Sequence, residues 1–373
     1  MAPLRIGVDA REILGNATGV GRYLGELLRR WTARADADTR RFVLFAPERL
    51  PAAFDADTLE VRVLPPAGPR LVAGHGRGTW WEQTSLRRAA ARERLDVFFA
   101  PAYTAPLGLR VPLGVTIHDV SFAAHPEWFR PREGMRRRRL TARAASSAAV
   151  VFTDSEFSRG EIHRHFSVSP ARIRVIAPGL AARAQALPHE PRDPLVLYAG
   201  SLFTRRRLPY LIAAFARAAR DVPAARLAIV GDDRTWPRQD LRRVAAEAGV
   251  AARVDLLDYV SDEQLASLYA RAAVFVFLSE YEGFGLTPLE ALAAGVPIVV
   301  LDTPVAREVY GPAAVYVSRD TEETAAAIAS LLVTPAAGAG TLQHAPDVLA
   351  RYSWDGAADA TLGELERIGG RRS

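Results

Sequence analysis

Ser279-Glu-Tyr-Glu282-Gly283-Phe284-Gly285-Leu286-Thr-Pro-Leu-Glu290-Ala-Leu-Ala-Ala-Gly-Val-Pro297 sets two carboxylates, Glu282 and Glu290, eight positions apart around a Gly-Phe-Gly step. An apolar run precedes it at 273–278 and another follows at 296–301. The reading is strand, glycine-rich turn, short helix, strand. Short apolar runs joined through helices pack as parallel strands covered on both faces, so this stretch decides for an α/β fold. Glu282 falls in the turn at the helix entrance and Glu290 on the helix. Gly283 and Gly285 let the backbone approach a ligand without a side chain in the way. Free N–H groups at the helix start favour a negatively charged group.

The same alternation extends to both ends of the chain. In the first half, apolar strands are expected at 4–9, 41–45, 59–64, 96–99, 114–117, 149–153 and 174–176, with a glycine-rich loop at 15–21 and a helix over 22–35. Residues 184–194 are rich in Pro, His and charge and read as a linker. The second half restarts with a strand at 195–199, a loop at 200–207 and a helix at 208–220. Strands at 226–230, 254–256, 273–278, 297–301 and 314–317 follow, with helices at 237–248, 262–271 and 321–332. Residues 334–341 read as a turn region, and 353–368 as a last helix. The division is therefore a first α/β domain at 1–187, a second at 188–352 and a closing helix at 353–373. Doubly wound sheets bind ligands at the carboxyl ends of their strands, so a cleft between the two domains is the expected site.

At 373 residues the chain suits two domains rather than one core. No apolar run reaches the roughly 18 residues of a membrane span, and the N-terminus reads as a first strand. Cysteine is absent, which excludes disulfides and thiolate metal sites and fits a reducing compartment. The 48 basic residues are all arginine, so Schiff-base chemistry on lysine is excluded and any side-chain cation at a phosphate is Arg or His. The net charge of +6 suits an anionic partner without choosing one. Arg130, Arg132, the run 136–139 and Arg143 form a basic stretch that reads either as a solvated helix face or as a contact with an anionic bilayer. It lacks the interleaved aromatics of a single-strand nucleic-acid groove.

Several further motifs accompany the glutamate segment: Thr18-Gly19-Val-Gly21-Arg-Tyr23, Thr116-Ile-His118-Asp119, Pro126-Glu-Trp-Phe129, Thr153-Asp-Ser-Glu-Phe-Ser158, Tyr198-Ala-Gly200-Ser-Leu202 with Arg205-Arg206, Val230-Gly231, Tyr259-Val260-Ser-Asp-Glu263 and Tyr352-Ser-Trp354. Together they resemble the retaining, nucleotide-sugar-dependent glycosyltransferases of the GT-B fold, family 4, and within them the bacterial mannosyl- and hexosyl-transferases of surface-polysaccharide assembly. The resemblance implies two facing Rossmann-like domains, with the last helix crossing back onto the first. The implied donor is a nucleoside-diphosphate hexose, GDP-mannose first and UDP-, dTDP- or other GDP-hexoses next, held mainly by the second domain. The implied acceptor is a glycan, a lipid-linked species or a small molecule at the first domain. A cytoplasmic protein is expected, or one peripheral at the inner face of the membrane. No separate cofactor is expected.

By the same resemblance Glu290 accepts the ribose hydroxyls, a role a carboxylate suits because its two oxygens match a vicinal diol. Glu282 faces the donor sugar and supports positive charge developing on the ring. The N–H groups of Gly283, Phe284 and Gly285 are the candidates for sugar hydroxyls or phosphate oxygens, with Leu286 beside them on the nucleotide side. Arg205 and Arg206, after Gly200, neutralise the departing phosphate. Arg206 stands where the family commonly has lysine, and Arg207 reads as surface charge. A basic helix start without a ligand is the alternative for this triple. Gly19 and Gly21 bring a loop toward the diphosphate or acceptor, or form a simple turn. His118, at a strand end, approaches the donor sugar through its ring or backbone, with Asp119 orienting it or meeting the acceptor. Asp154 stands where a small apolar residue is common. Gly231, Tyr259 and Val260 lie toward the nucleotide. Asp232-Asp233 lacks the spaced partners of a hard-cation site, so no metal is expected. An inverting or epimerising enzyme on the same scaffold, and a non-catalytic sugar-nucleotide or glycan-binding subunit, remain as alternatives.

Overall fold

The computed structural model describes residues 3–14, 19–54, 56–66, 75–180, 192–258 and 260–370. It separates into two compact units, Met1–Ala124 with Arg132–Gly179 and Ser353–Ser373, and His125–Pro131 with Leu180–Tyr352. The first unit holds seven strands: β1 (Leu4–Asp9), β2 (Arg40–Ala46), β3 (Leu59–Val63), β4 (Val97–Ala100), β5 (Leu113–Thr116), β6 (Val150–Thr153) and β7 (Ile173–Val175). The second holds six: β8 (Asp193–Ala199), β9 (Arg226–Val230), β10 (Val254–Leu257), β11 (Ala272–Phe277), β12 (Ile298–Leu301) and β13 (Ala314–Val317).

Both sheets are parallel throughout, in the orders β3-β2-β1-β4-β5-β6-β7 and β10-β9-β8-β11-β12-β13. The order reverses beside β1 and β4 in one sheet and beside β8 and β11 in the other. Such reversals open crevices at the carboxyl ends of the strands, where doubly wound folds bind ligands. The central strands are apolar at nearly every position because both faces are covered by helices; all four residues of β4, β6 and β12 are buried.

The first core forms around Trp31 on the helix Gly19–Ala33. Its ring is fully buried and stacks on Phe42 at 5.3 Å. Its indole N–H donates to the carbonyl of Ala358 at 2.9 Å, which ties it to the last helix, Trp354–Gly369. That helix buries Trp354, Leu362, Leu365 and Ile368 in the same cluster as Ile6, Val8, Val97 and Phe99. Arg40 pairs with Glu366, and Arg174 Nε reaches Glu364 at 3.0 Å. The last helix thus belongs to the first unit.

The strands fall within two residues of their expected bounds. Four local expectations are corrected. The first helix begins at Gly19, not at 22, so Gly19 and Gly21 lie in its first turn. The linker expected at 184–194 lies outside the described residues up to 191, and Asp193 and Pro194 are the start of β8. The helix expected over 237–248 is confined to Leu241–Glu247. The turn region at 334–341 contains a 3-10 turn, Pro335–Gly338, and a short helix, Ala339–Leu342. One excursion was not foreseen: His125–Pro131 interrupts the first unit's sequence and packs with the second. His125 stacks on Trp128 at 4.0 Å and meets Tyr281 edge-on at 5.5 Å, and Arg130 lies over the Trp236 ring.

Leu365 is fully buried, and a Cβ on Gly114 of β5 would stand 2.8 Å from its Cδ2. Leu365→Ala is expected to destabilise the protein by about 2–5 kcal/mol. Urea unfolding should show an earlier first transition; an unchanged midpoint would contradict the packing of the last helix on this sheet.

Candidate active site

The second unit brings together Glu282, Arg205 and Arg206 at the reversal beside β8 and β11. After β8 the chain turns through Gly200 (φ +135°) and a 3-10 turn, Thr204–Arg206, into the helix Leu208–Ala218. Gly231, at the end of β9, has φ +149°, and a Cβ there would lie 2.1 Å from the carbonyl oxygen of Gly200. Gly231 is needed because the loops after β8 and β9 touch backbone to backbone, whereas a Cβ on Gly200 would lie 2.5 Å from Arg206 Nη1. Leu202 N–H donates to Asp232 O at 2.8 Å, and Arg234 N–H to Leu202 O at 2.9 Å. The loop contact accounts for Gly231, and the Arg206 guanidinium with the positive φ accounts for Gly200.

Arg206 lies on that platform. Its Nη1 donates to Ser201 O at 2.8 Å and to the Tyr198 hydroxyl at 3.1 Å, and its Nε donates to Glu282 Oε1 at 2.9 Å. The Tyr198 and Phe277 rings stack, and the guanidinium lies 5.1 Å from the Phe277 centroid. Glu282, 8 % exposed, also accepts from Ser279 Oγ at 2.7 Å, and Arg205 Nε stands 3.7 Å away. Burial alone would raise the Glu282 pKa, but the charges of Arg206 and Arg205 and the hydrogen bonds from Arg206 and Ser279 hold it below its ordinary value. Glu282 is therefore an anion here and a poor base.

Arg205 differs from its neighbour. It is only 6 % exposed, its guanidinium lies 4.2 Å from the Phe203 centroid, and its buried Nε has no hydrogen-bond acceptor. Leaving a buried charged donor unsatisfied costs more than the roughly 1–3 kcal/mol of a neutral one. Arg207, expected as surface charge, is instead 8 % exposed. Its Nε faces Glu280 at 3.4 Å, its Nη2 donates to Arg319 O at 3.3 Å, and it lies 3.9 Å from the Tyr210 centroid. Its backbone is left-handed at φ 52°, which costs a non-glycine residue roughly 1–2 kcal/mol. It is a structural residue of the turn.

Past Glu282 the chain runs through Gly283 to Phe284. The Phe284 ring is buried edge-on against Tyr352 at 5.0 Å, so its side chain belongs to the core. Gly285 (φ +92°) begins the helix Leu286–Ala293, which has no side-chain cap. Tyr310 OH donates to Gly285 O at 2.9 Å, and a Cβ on Gly285 would lie 2.2 Å from that hydroxyl. Glu290, four residues along the helix from Leu286, is half-buried and accepts from Tyr269 OH at 3.1 Å. Val260 directly precedes Ser261, which caps the Tyr269 helix, Asp262–Arg271. Tyr259 lies outside the described residues. Asp232 pairs with Arg234, and Asp233 accepts from Thr235 N–H and Oγ; both are engaged in their own loop.

In the first unit His118 follows β5. Its Nδ1 meets Asp154 Oδ2 at 2.9 Å and its Nε2 meets the Pro101 carbonyl at 3.0 Å. Two acceptors facing both ring nitrogens are satisfied by an N–H on each. Burial pulls the His118 pKa down; the charge and hydrogen bond of Asp154, with the Pro101 carbonyl, outweigh it and raise the value above the ordinary one. Asp119 does not orient His118. It accepts from Ser121 N–H and Oγ at 2.8 and 2.7 Å and from Tyr103 OH at 3.2 Å. Asp154, a departure from the family pattern, takes that role. Gly19 has open space at its Cβ position, whereas a Cβ on Gly21 would lie 2.3 Å from Glu12 O. Gly21 is thus a packing requirement of the helix against the turn before it.

At the end of β1, Asp9 Oδ2 and Glu82 Oε2 share Arg11 Nη2, at 3.2 and 2.5 Å, and Thr104 Oγ adds a hydrogen bond to Glu82 at 2.7 Å. Burial pushes the Asp9 pKa up to about 7, Arg11 opposes this, and Glu82 adds to it. The only sequence signal for this cluster is an acid, Asp9, as the last residue of the first strand.

Residues 182–339 match the family Glycosyl transferases group 1, and residues 17–184 match Glycosyltransferase Family 4. The chain is 30 % identical over 239 residues to O-antigen chain mannosyltransferase B of Escherichia coli, covering 60 % of this chain and 62 % of that protein. It is 29 % identical over 276 residues to MMP alpha-(1->4)-mannosyltransferase of Mycolicibacterium hassiacum, covering 69 % and 65 %. The matches thus span less than two thirds of these relatives. Among solved structures, WaaG, a glycosyltransferase involved in lipopolysaccharide biosynthesis, aligns with TM-score 0.76 at 16 % identity over 98 % of this chain and 100 % of its own. Sucrose-phosphate synthase from Thermosynechococcus elongatus aligns with TM-score 0.76 at 20 % identity over 100 % of both. These likenesses establish the fold.

Asp9 gives a pH prediction. Its folded pKa is raised from 3.8 to about 7, so the stability it contributes is complete below pH 3.8 and lost as pH rises through about 7. Asp9→Asn cannot ionise. The difference in melting temperature, wild type minus variant, should fall across that window; a constant difference would contradict the assignment. Asp154→Asn should likewise lower the His118 pKa, as read by the imidazole NMR titration, and an unshifted titration would remove Asp154 as its partner.

Proposed function

We propose a reaction for this chain, which belongs to the GT-B glycosyltransferases of group 1 and family 4: it transfers a hexose from a nucleoside diphosphate to a hydroxyl, with retention at the anomeric carbon and without a metal ion. The cytoplasm is its proposed place of work, and GDP-mannose the first donor to test. The observation that carries the reading is Arg205, a buried guanidinium with an unsatisfied donor beside the Glu282–Arg206 pair. A diphosphate supplies the oxygens that Arg205 lacks.

In this reading Glu290 takes the ribose diol and the entrance of the helix Leu286–Ala293 faces the phosphates. As the bond from the anomeric carbon to the β-phosphate oxygen breaks, negative charge grows on the leaving group. Fixed cations at that point stabilise the transition state more than the ground state. Glu282, held ionised by its partners, faces the positive charge left on the sugar ring. The acceptor oxygen then bonds to the anomeric carbon, and its proton passes to the departing phosphate. Inversion would need a general base. Glu282 is held as a weak base, and both nitrogens of His118 are engaged, which favours the retaining course over the inverting one.

The experiment is a thermal-shift screen with GDP, UDP and dTDP, followed by turnover with the matching hexose donors and NMR of the product anomer. Retention with activity in excess EDTA is expected. An inverted product, or total loss in EDTA restored by Mg²⁺ or Mn²⁺, would overturn the corresponding part. Arg205→Met should abolish turnover while leaving the melting temperature equal or higher, because it removes a buried guanidinium whose Nε has no hydrogen-bond acceptor while Arg206 still pairs with Glu282. A large loss of stability would make Arg205 structural. Glu290→Ala should weaken donor nucleotide binding by roughly tenfold to a hundredfold, the worth of a charged hydrogen bond of about 1.5–3 kcal/mol; unchanged calorimetric affinity would remove Glu290 from the site.

A further inference from the structure

The motif Pro126-Glu-Trp-Phe129 has no part in the reaction described above, yet it lies in His125–Pro131, the excursion that packs with the second unit. Prolines stand at the second and last positions of this segment, Pro126 and Pro131. A proline ring fixes its own φ and pushes the residue before it out of the helical region. His125 and Arg130 are those preceding residues, and His125 accordingly has φ −134° and ψ 68°. A 3-10 turn, Pro126–Trp128, closes the segment on itself: Trp128 N–H donates to His125 O and Phe129 N–H to Pro126 O, both at 3.2 Å. The turn lays the Trp128 ring on the His125 imidazole at 4.0 Å, and Glu127 Oε1 meets His125 Nδ1 at 3.1 Å. The imidazole is thus held in place by its own segment.

Each end of the segment bears on a loop that carries the charges of the candidate site. At one end His125 meets the Tyr281 ring edge-on at 5.5 Å. Tyr281 is buried and directly precedes Glu282; its carbonyl accepts from Ser279 Oγ, which also donates to the Glu282 carboxylate. At the other end the Arg130 guanidinium lies 5.1 Å from the Trp236 centroid. Trp236 is bound twice to Thr204: its N–H donates to Thr204 Oγ at 3.0 Å, and Thr204 Oγ donates to its carbonyl at 2.8 Å. Thr204 opens the turn that bears Arg205 and Arg206. The two loops also meet directly, Glu280 N–H donating to Arg205 O at 2.9 Å. Ring and cation–π contacts of this kind are weak one by one. Their effect here is on position, because a small displacement of a group aimed at a transition state costs more in rate than in stability.

We infer that His125–Pro131 braces the charged site, with His125 a positioning residue for Glu282 and Arg130 one for the turn that carries Arg205 and Arg206. Each acts through an intermediary, Tyr281 or Trp236. The bracing is carried by these contacts alone; its consequence for turnover rests on the glycosyltransfer reading above.

The test pairs amide hydrogen exchange with kinetics in the full chain, for His125→Ala, His125→Phe, Arg130→Ala and Arg130→Lys. Phenylalanine keeps a ring against Trp128 and Tyr281, and lysine keeps a cation over Trp236. The reporter amides are those of Glu280, bonded to Arg205 O, and of Arg206 and Arg207, bonded to Phe203 O and Thr204 O. His125→Ala is expected to speed exchange at Glu280, and Arg130→Ala at Arg206 and Arg207, by about tenfold or more at an unchanged melting temperature. The Phe and Lys variants should return exchange to the wild-type rate. With a donor that turns over, both alanine variants should lower kcat by about tenfold while KM for the donor stays within about twofold, and the conservative variants should recover the rate. Unchanged exchange at all three amides would overturn the inference. So would exchange raised throughout the second unit with a lower melting temperature and no rescue, which marks a merely structural segment, or faster exchange at the reporters with kcat unchanged. A wild type that turns over no GDP-, UDP- or dTDP-hexose, while the reporter amides still respond, sinks the transfer reading and leaves the brace standing.

Discussion

Glu282 is buried against two guanidinium groups, and the carboxyl end of the second sheet is organised around that contact. Taking ions out of water costs several kcal/mol per group, so a buried pair is a weak reason for stability. Its value is position. Arg206 is fixed by Tyr198, Ser201 and Glu282 at once, which leaves its fork little freedom to lose when a ligand arrives. The framework that holds it is itself demanding: Gly200 under the Arg206 guanidinium, Gly231 against the Gly200 carbonyl, a left-handed Arg207, and Gly285 under the Tyr310 hydroxyl. Such local strain is maintained where a site must be preorganised.

The two units carry the same architecture and treat charge differently. In the second, Arg205 Nε is a buried donor without a hydrogen-bond acceptor. In the first, the groups at the sheet edge close on one another: His118 on Asp154 and Pro101, Asp9 and Glu82 on Arg11.

Much of this was legible in the sequence because a strand buried on both faces is an unbroken apolar run, and β4, β11 and β12 are such runs. The grouping of Glu282 with Arg205 and Arg206 was implied by the resemblance of their motifs to the glycosyltransferase family, and the pairing of β8 with β11 in the sheet accounts for it. The failures have a common cause: periodicity reports that a residue is buried, not what it meets. Arg207 reads as a solvated charge until Glu280, Arg319 and Tyr210 are seen around it. Asp154 reads as an anomaly until His118 is found 2.9 Å away, 36 positions earlier in the chain. Gly21 reads as a loop glycine, yet it serves the close approach of a helix to the Glu12 carbonyl. His125–Pro131 changes unit without any composition shift to mark it.

The central claim is that the Arg205–Arg206–Glu282 assembly exists to hold a diphosphate. The direct measurement is a calorimetric comparison, on the wild-type protein at one salt concentration, of whichever of GDP, UDP or dTDP binds against its own monophosphate. The account predicts that the second phosphate adds about tenfold or more in affinity, the worth of one additional charge-assisted contact. Equal affinity for the two nucleotides would contradict it.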